Sequence, residues 1–390
     1  MIRIEHKKDC CGCTACASIC AHHCITMQED PEGFLYPKVD VSKCTDCGLC
    51  ERVCPMLHSV SERSILQVLA AKHKDEVIRK ESSSGGVFSI LAETIIADGG
   101  VVVGCAMNES LQAVHVICET KEELVRLRSS KYVQSDLNGV FLQIRRLLRD
   151  GRNVLFSGTP CQVAGLRNFL MKPYNNLYCI DVLCHGVPSP KLYREYLKIM
   201  EGNNGAQGSF ISFRSKRKEW KRLYINIKFE NNKEYFKYSG FDPYMQLFLS
   251  NTSQRNSCFH CPYTTLQRQG DISLGDFWGI GKEFYHLDDN KGISMVLLNS
   301  TKGERWFAKV RDYLDVHDSK IARAVEGNKV LVKNIPGEDK RNLFYKDFVQ
   351  NGFKSAVKVH TTYFPLWQQW YLNFMRFNLD ILRRILRRTY

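Results

Sequence analysis

The chain has 390 residues, an ordinary apolar share of 44%, a formal net charge of +14 and 17 cysteines. Such a length allows two or three domains, and no run of roughly twenty apolar residues occurs, so no membrane-spanning helix is expected. Arg3, Glu5 and Lys7 follow Met1 where a secretory leader would be apolar, so the cysteines are expected in a reducing cytoplasm and not in disulfides.

The cysteines come first along the chain. Cys10, Cys13, Cys16 and Cys20 are followed by Cys44, Cys47, Cys50 and Cys54, and then by Pro55. Each run spells Cys-x-x-Cys-x-x-Cys-x-x-x-Cys, in which three thiolates wrap one iron–sulfur cube and the fourth reaches a neighbouring cube. On that rule Cys10, Cys13, Cys16 and Cys54 hold one 4Fe–4S cluster, and Cys44, Cys47, Cys50 and Cys20 hold a second. Zinc, which usually takes two Cys-x-x-Cys pairs, fits the third evenly spaced thiolate poorly. The stretch resembles a bacterial two-cluster ferredoxin domain over residues 1–58, with Ala21 where that family usually has proline. Cys11 and Cys24 are surplus to the pattern and read as packed thiols.

Residues 56–80 are a charged stretch that reads as a connector. Glu81-Ser-Ser-Ser-Gly85-Gly86 then precedes an apolar-periodic helix over Val87–Ala97, and serines and glycines at such a place leave backbone N–H groups free for an anion; an ordinary helix cap looks the same. Val101–Cys105 and Val114–Cys118 read as strands, Lys121–Leu127 as a helix, Ser129–Ser135 as a loop and Val140–Leu148 as an amphipathic helix. The strand Asn153–Phe156 ends in Ser157-Gly-Thr-Pro-Cys161-Gln162 before a helix at Val163–Leu170. The strand Leu177–Leu183 ends in Cys184-His185-Gly186 before another helix. This alternation predicts a parallel sheet wound with helices, with ligands beyond the carboxyl ends of its strands, where Cys161 and Cys184 lie. Residues 208–238 alternate like antiparallel strands. Cys258-Phe-His-Cys261 and Gly275-Asp276-Phe-Trp-Gly279 follow, and neither a GxGxxG fingerprint nor a P-loop is present.

Cys161, Cys184, Cys258 and Cys261 are enough thiolates for a third 4Fe–4S cluster if the fold gathers them. On spacing alone, two buried thiols beside a zinc or loop pair is the plainer reading.

Taken in order, Ser-Ser-Gly-Gly, Ser-Lys131-Tyr132, Gly-Thr-Pro-Cys161-Gln, Cys184-His-Gly-Val-Pro-Ser-Pro, Cys258-x-x-Cys261 and Gly-Asp276-Phe-Trp-Gly resemble the family of coenzyme F420 hydrogenase/dehydrogenase beta subunits across roughly residues 65–335. The resemblance implies a bound FAD held without a Rossmann fingerprint, and a third 4Fe–4S cluster on Cys161, Cys184, Cys258 and Cys261. Carried over by motif, Ser84, Gly85, Gly86, Lys131, Tyr132 and Thr159 are its flavin-side candidates. The family also includes a chlorophyll-derivative reductase and proteins encoded near polysaccharide-synthesis genes, so it does not fix the deazaflavin as partner. By chemical type alone His185 and Lys131 are candidate proton donors, although orienting loops or binding phosphate is the simpler role for both.

The expected architecture is mixed, α+β or α/β: a ferredoxin-like domain at 1–58, family-like N- and C-terminal domains at 65–149 and 150–335, and a helical extension at 336–390. In the last, Leu366–Leu386 repeats apolar residues every three or four positions and ends in Arg383, Arg384, Arg387 and Arg388, which suits either peripheral contact with an anionic inner-membrane surface or packing on the body. Acidic residues outnumber basic ones through residue 60, so the positive surplus lies beyond it, where it suits an acidic redox partner, phosphorylated cofactors or lipid, or is a solvated face. No nucleic-acid motif accompanies it, and no nucleic-acid partner is expected. The functional expectation is an oxidoreductase passing electrons between the clusters and FAD to reduce or oxidise an organic substrate or coenzyme F420. The alternative is a non-catalytic electron-transfer subunit that feeds a partner enzyme, as in polysaccharide biosynthesis.

Overall fold

The computed structural model describes residues 1–58, 63–137, 139–365, 367–372 and 374–375. In the N-terminal module the two cysteine loops are wound alike. Gly12 and Thr14 in the first, and Asp46 and Gly48 in the second, take positive φ at matching places, with φ values of 72°, 59°, 52° and 72°. These left-handed residues curl each loop around its own thiols. A short helix follows each loop, α1 (Ala15–Ile19) and α2 (Leu49–Arg52), and the hairpin of β1 (Ile25–Glu29) and β2 (Leu35–Val39) joins the halves.

The later strands are β3 (Gln67–His73), β4 (Val101–Met107), β5 (Ala113–Cys118), β6 (Val154–Gly158), β7 (Leu177–Val182), β8 (Gly208–Ser212), β9 (Tyr224–Phe229), β10 (Glu234–Tyr238), β11 (Ile272–Asp276), β12 (Ser294–Leu298) and β13 (Leu314–Ser319). The helices among them are α3 (Glu76–Glu81), α4 (Val87–Ala97), α5 (Val140–Arg149), α6 (Pro160–Leu170), α7 (Pro190–Asn204), α8 (Pro243–Leu249), α9 (Thr301–Ala308), α10 (Ile321–Gly327) and α11 (Glu338–His360). One sheet has the order β13-β3-β12-β11-β7-β6-β4-β5, and a smaller one the order β10-β9-β8. In the larger sheet β4, β6, β7 and β11 run parallel, and antiparallel strands extend both edges. The parallel strands are apolar at successive residues because both faces are covered. Val101, Val103, Val154 and Phe156 pack with α5 and α6, whereas Val102 and Leu155 pack with α4 and α9.

This is the mixed α/β body with a small ferredoxin-like module that the sequence predicts, with local differences. The supposed connector contains β3, whose Val68–Ala71 are buried between β12 and β13; only its charged flank looked like a linker. The helix expected over Lys121–Leu127 is a 3-10 turn, Glu123–Leu127. The helix expected from Val163 begins at Pro160, with Thr159 and Gln162 closing a reciprocal cap, so Cys161 lies in its first turn. The large sheet takes strands from both sides of the 149/150 division. In the extension, α11 buries Phe344, Tyr345, Phe348 and Phe353 with Tyr193 and Tyr196 of α7, so it is part of the core as far as His360.

Arg255 fastens the module to the body. Its buried guanidinium donates to the carbonyls of Cys10 at 2.7 Å and Leu35 at 2.9 Å, and to Gln134 Oε1 at 3.1 Å, while lying 4.1 Å over the ring of Tyr36. Gln134 in turn donates to the Cys11 carbonyl at 3.2 Å, and Tyr263 to the Pro55 carbonyl at 2.6 Å. Arg341 pairs with Glu32, and Ser189 Oγ donates to the Glu32 carbonyl at 2.6 Å. Replacing Arg255 with methionine leaves these acceptors without donors, at about 1–3 kcal/mol for each group left unpaired. The expected outcome in hydrogen exchange is faster exchange at Leu35–Val39, with β6 and β7 unchanged.

Candidate functional site

The cysteine loops place their thiols in two groups. Cys16 has Cys10, Cys54 and Cys50 around it, and burial together with those neighbours pushes its thiol up to about 12. Cys13 lies between Cys10 and Cys16 and against α6, where a Cβ built on Gly165 would fall 2.9 Å from Cys13 Sγ. Cys20 crosses to the other loop, where Cys20, Cys44, Cys47 and Cys50 line a cavity of about 20 Å³. Cys24 lines it too, with its Sγ 3.3 Å from that of Cys20. Backbone N–H groups of Ile2 and Asp46 donate to Cys50 Sγ at 3.2 Å and Cys44 Sγ at 3.4 Å, contacts of the kind that tune cluster thiolates.

The third set comes from three distant segments. Cys161 lies in the first turn of α6, Cys184 follows β7, and Cys258 and Cys261 flank the end of a 3-10 turn over Asn256–His260. Together they line a cavity of about 50 Å³. Burial, and then the mutual repulsion of Cys258, Cys161 and Cys261, holds the Cys184 thiol well above its ordinary value; the same effects push Cys258 up to about 12 and Cys261 up to about 11. Cys11 lines this cavity and lies beside both Cys13 and Cys161, so the residue that reads as a packed thiol stands between the first set and the third. Among the described residues no group of three or more His, Cys, Asp or Glu side chains is placed to hold a single metal ion. The thiols surround cavities, and an all-sulfur donor set of this kind fits iron–sulfur cubes.

A larger cavity of about 480 Å³ opens at the carboxyl ends of the parallel strands, lined by Cys105 of β4, Ser157 and Gly158 of β6, Val182 of β7 and Gly275 and Asp276 of β11. That is where a sheet of this topology offers its ligand crevice. Ser84, Gly86, Lys131, Tyr132 and Thr159 all line it. Gly86, at φ 88°, starts α4 without a side-chain cap, so the first-turn N–H groups of that helix meet the cavity. Gly85 is not part of the lining. Its N–H donates to Ser294 Oγ at 3.0 Å and its carbonyl accepts from His73, which wedges it between β3 and β12. Lys131 donates to the carbonyls of Arg126 at 3.1 Å and Arg128 at 2.7 Å, and burial lowers it to about 8. It therefore clamps its own loop with two of its three donors. The Tyr132 ring stacks on Phe248 at 4.2 Å, and Val182 and Leu249 turn exposed apolar surface into the same space.

Several lining residues escape a reading of the sequence. His115 stacks on Phe156 at 5.4 Å, and burial lowers its pKa to about 4, which leaves it neutral at neutral pH. His185, a candidate in the sequence by chemical type, does line the cavity, and burial lowers its pKa. Arg214 pairs with Asp276, which also accepts from Trp220 Nε1 at 3.2 Å; Trp220 stacks on Trp278 at 4.5 Å. Asp276 and Trp278 belong to a motif visible in the sequence, but Arg214 sits in an ordinary-looking basic run. The two cavities share Thr159, Gln162, Leu183, Cys184, Gly186 and Val187 as a common wall.

Family models of coenzyme F420 hydrogenase/dehydrogenase beta subunits match in two parts, the N-terminal model over residues 68–141 and the C-terminal model over 151–322, and a 4Fe-4S dicluster domain matches 9–57. A subunit of the F(420)H(2) dehydrogenase of Methanosarcina mazei is 23% identical over 380 residues, covering 92% of this chain and 97% of that protein. Coenzyme F420-dependent sulfite reductase of Methanocaldococcus jannaschii is 26% identical over 194 residues, 48% of this chain and 29% of the reductase. A chain from the F420-reducing [NiFe] hydrogenase complex of Methanosarcina barkeri superposes with a TM-score of 0.47 at 17% identity, covering 76% of this chain and 92% of that one.

Three filled thiol sets correspond to about twelve iron atoms per chain. Iron and sulfide assays on anaerobically purified protein should find that number in the wild type, and about four fewer irons in Cys258→Ser. Cys11→Ser should retain all of them; a wild type with about eight irons would remove the third cluster. A separate outcome concerns Gly85→Ala, whose Cβ would fall 2.3 Å from the Ala71 carbonyl oxygen. Such overpacking should cost about 1–3 kcal/mol, read as a lower thermal midpoint with iron content unchanged.

Proposed function

Because the chain belongs to the family of coenzyme F420 hydrogenase/dehydrogenase beta subunits and carries a dicluster domain ahead of the family region, we propose that it is an iron–sulfur flavoprotein oxidoreductase that exchanges electrons between ferredoxin-type clusters and FAD to reduce or oxidise an organic substrate, coenzyme F420 among the candidates. The observation that carries the reading is the common wall: Cys184 and Thr159 face both the third thiol set and the large cavity. When bound, a flavin exchanges electron pairs with an organic partner and single electrons with clusters, each of which carries one at a time.

The chain's own residues supply the rest. Cys10, Cys13, Cys16 and Cys54 hold one cluster, Cys20, Cys44, Cys47 and Cys50 a second, and Cys161, Cys184, Cys258 and Cys261 a third. The Ser83–Ser84 backbone and the uncapped start of α4 offer N–H donors to phosphates along one side of the cavity, beside Arg128, whose Nε and Nη1 already donate to Ser89 and Glu81. Tyr132, Phe248, Val182 and Leu249 give a flat ring system an apolar bed and exclude water from it. His115 contributes no charge there at neutral pH.

A second reading has one observation in its favour: the Methanosarcina mazei relative is described as a subunit. On that reading the chain relays electrons to an enzyme on a partner protein. A peripheral membrane contact through Leu366–Leu386 draws support from Trp367 and Trp370, both exposed, while Arg383, Arg384, Arg387 and Arg388 lie outside the described residues. No helix among the described residues is long and apolar enough to cross a membrane.

Anaerobic titration of the FAD-reconstituted protein separates these readings. Reduced coenzyme F420 should bleach the flavin absorbance rapidly, and NADH and NADPH should act poorly, since no dinucleotide fingerprint is present. Bleaching by one-electron donors alone would favour a relay, or a reductase of another substrate. Failure to take up any flavin would sink the flavoprotein reading and leave a cluster relay.

A further inference from the structure

Arg214 is a buried charge with an unused donor. It follows β8, is 7% exposed, and lines the large cavity beside Tyr132, His185 and Trp278. Its Nη1 is committed to the carboxylate of Asp276, and its guanidinium carbon lies 5.6 Å from the centre of the Trp278 ring. Trp220 holds Asp276 from the other side with the 3.2 Å bond from Nε1. The Tyr132 hydroxyl stands near the guanidinium, yet Nη2 is buried and makes no hydrogen bond. A buried guanidinium N–H without an acceptor is costly, and a charged donor costs more than a neutral one. The ion pair fixes its direction, and the residue that carries it lines a space large enough for a ligand.

From this we infer that Arg214 Nη2 is a binding subsite for a flat organic ligand that presents a single anionic or strongly accepting oxygen edge. The inference rests on the reading of the large cavity as the flavin and substrate site. Net charge selects the class. Arg214 and Asp276 neutralise each other, and the nearby Lys216, which burial lowers to about 7, spends its Nζ on the carbonyls of Arg79, Ser84 and Lys291. The spot therefore offers directed donors with little net charge, which suits one carboxylate or carbonyl edge better than a dianionic phosphate. The rings of Tyr132, Phe248 and Trp278 give the flat body its bed. Two sources share this chemistry: the pyrimidine edge of the flavin, and a carboxylate on the substrate.

The test uses the full chain with its clusters, with and without FAD, and benzoate as the probe. Arg214→Lys keeps a partner for Asp276 but loses the second terminal nitrogen and its fixed direction. Arg214→Gln/Asp276→Asn removes both charges together, so no carboxylate is stranded. Iron content and thermal midpoint report on folding. If the substrate carboxylate is the source, calorimetric titration should show benzoate binding weakened by about tenfold or more in both variants, with FAD affinity unchanged. If the flavin edge is the source, the FAD dissociation constant should rise by a similar factor. Changes within about twofold in both constants, in folded variants, overturn the subsite. A wild type that binds benzoate through Arg214 but never binds FAD overturns the flavin reading alone. One that binds neither overturns both.

Discussion

A buried guanidinium, that of Arg255, stands where the ferredoxin-like module meets the body. Removing such a charge from water is expensive, so the fold must surround it with acceptors, and those acceptors come from both sides of the junction. Cys10 and Leu35 supply carbonyls from the module, and Gln134 supplies its amide oxygen from the body. The backbone of Arg255 is committed as well: its N–H donates to Val187 and its carbonyl accepts from Cys258. One residue thus fixes the loop that begins the first thiol set and the turn that completes the third. Displacing either would strand a charge.

That constraint explains why the cavities lie as they do. Cys11 and Cys13 press the first set against α6, Cys161 opens the same helix, and Cys184 of the third set shares with Thr159 the wall between that set's cavity and the strand-end cavity. The parallel strands end there with their backbone N–H and C=O groups turning away from the ladder, and the antiparallel strands at the edges close the sides. The cavity is apolar where rings cover it and polar where α4 begins. Its buried histidine is neutral, so the charges along it come from arginine, lysine and Asp276.

What could be read in the sequence follows from how local each signal is. The two cysteine runs carry their geometry in their spacing, down to left-handed residues at matching positions. The strand–loop–helix alternation is equally local and gave the mixed α/β body. β3 was hidden because its short apolar run is flanked by charges that look like a connector, and its two partner strands lie more than two hundred residues further on. Gly85 and Gly86 are adjacent in one motif, yet only Gly86 meets the cavity; the packing of Gly85 against Ala71 and Ser294 is a tertiary fact. Arg214 had no signal at all, since its role depends on Asp276, Trp220 and Trp278 arriving from elsewhere. Lys131 has a recognisable motif, but its first task is to hold its own loop.

Gly165 leaves a consequence for rate. It sits in the middle of α6, where glycine weakens a helix, and the lack of a Cβ there is what lets Cys13 approach so closely. The rate at which an electron crosses between two carriers falls exponentially with the gap between them. Any side chain at this position would act as a spacer, lifting the module away from the helix that carries Cys161. Were clusters to fill both the first and the third thiol sets, the speed of transfer between them would be set partly by a residue that holds neither and contributes only its missing volume.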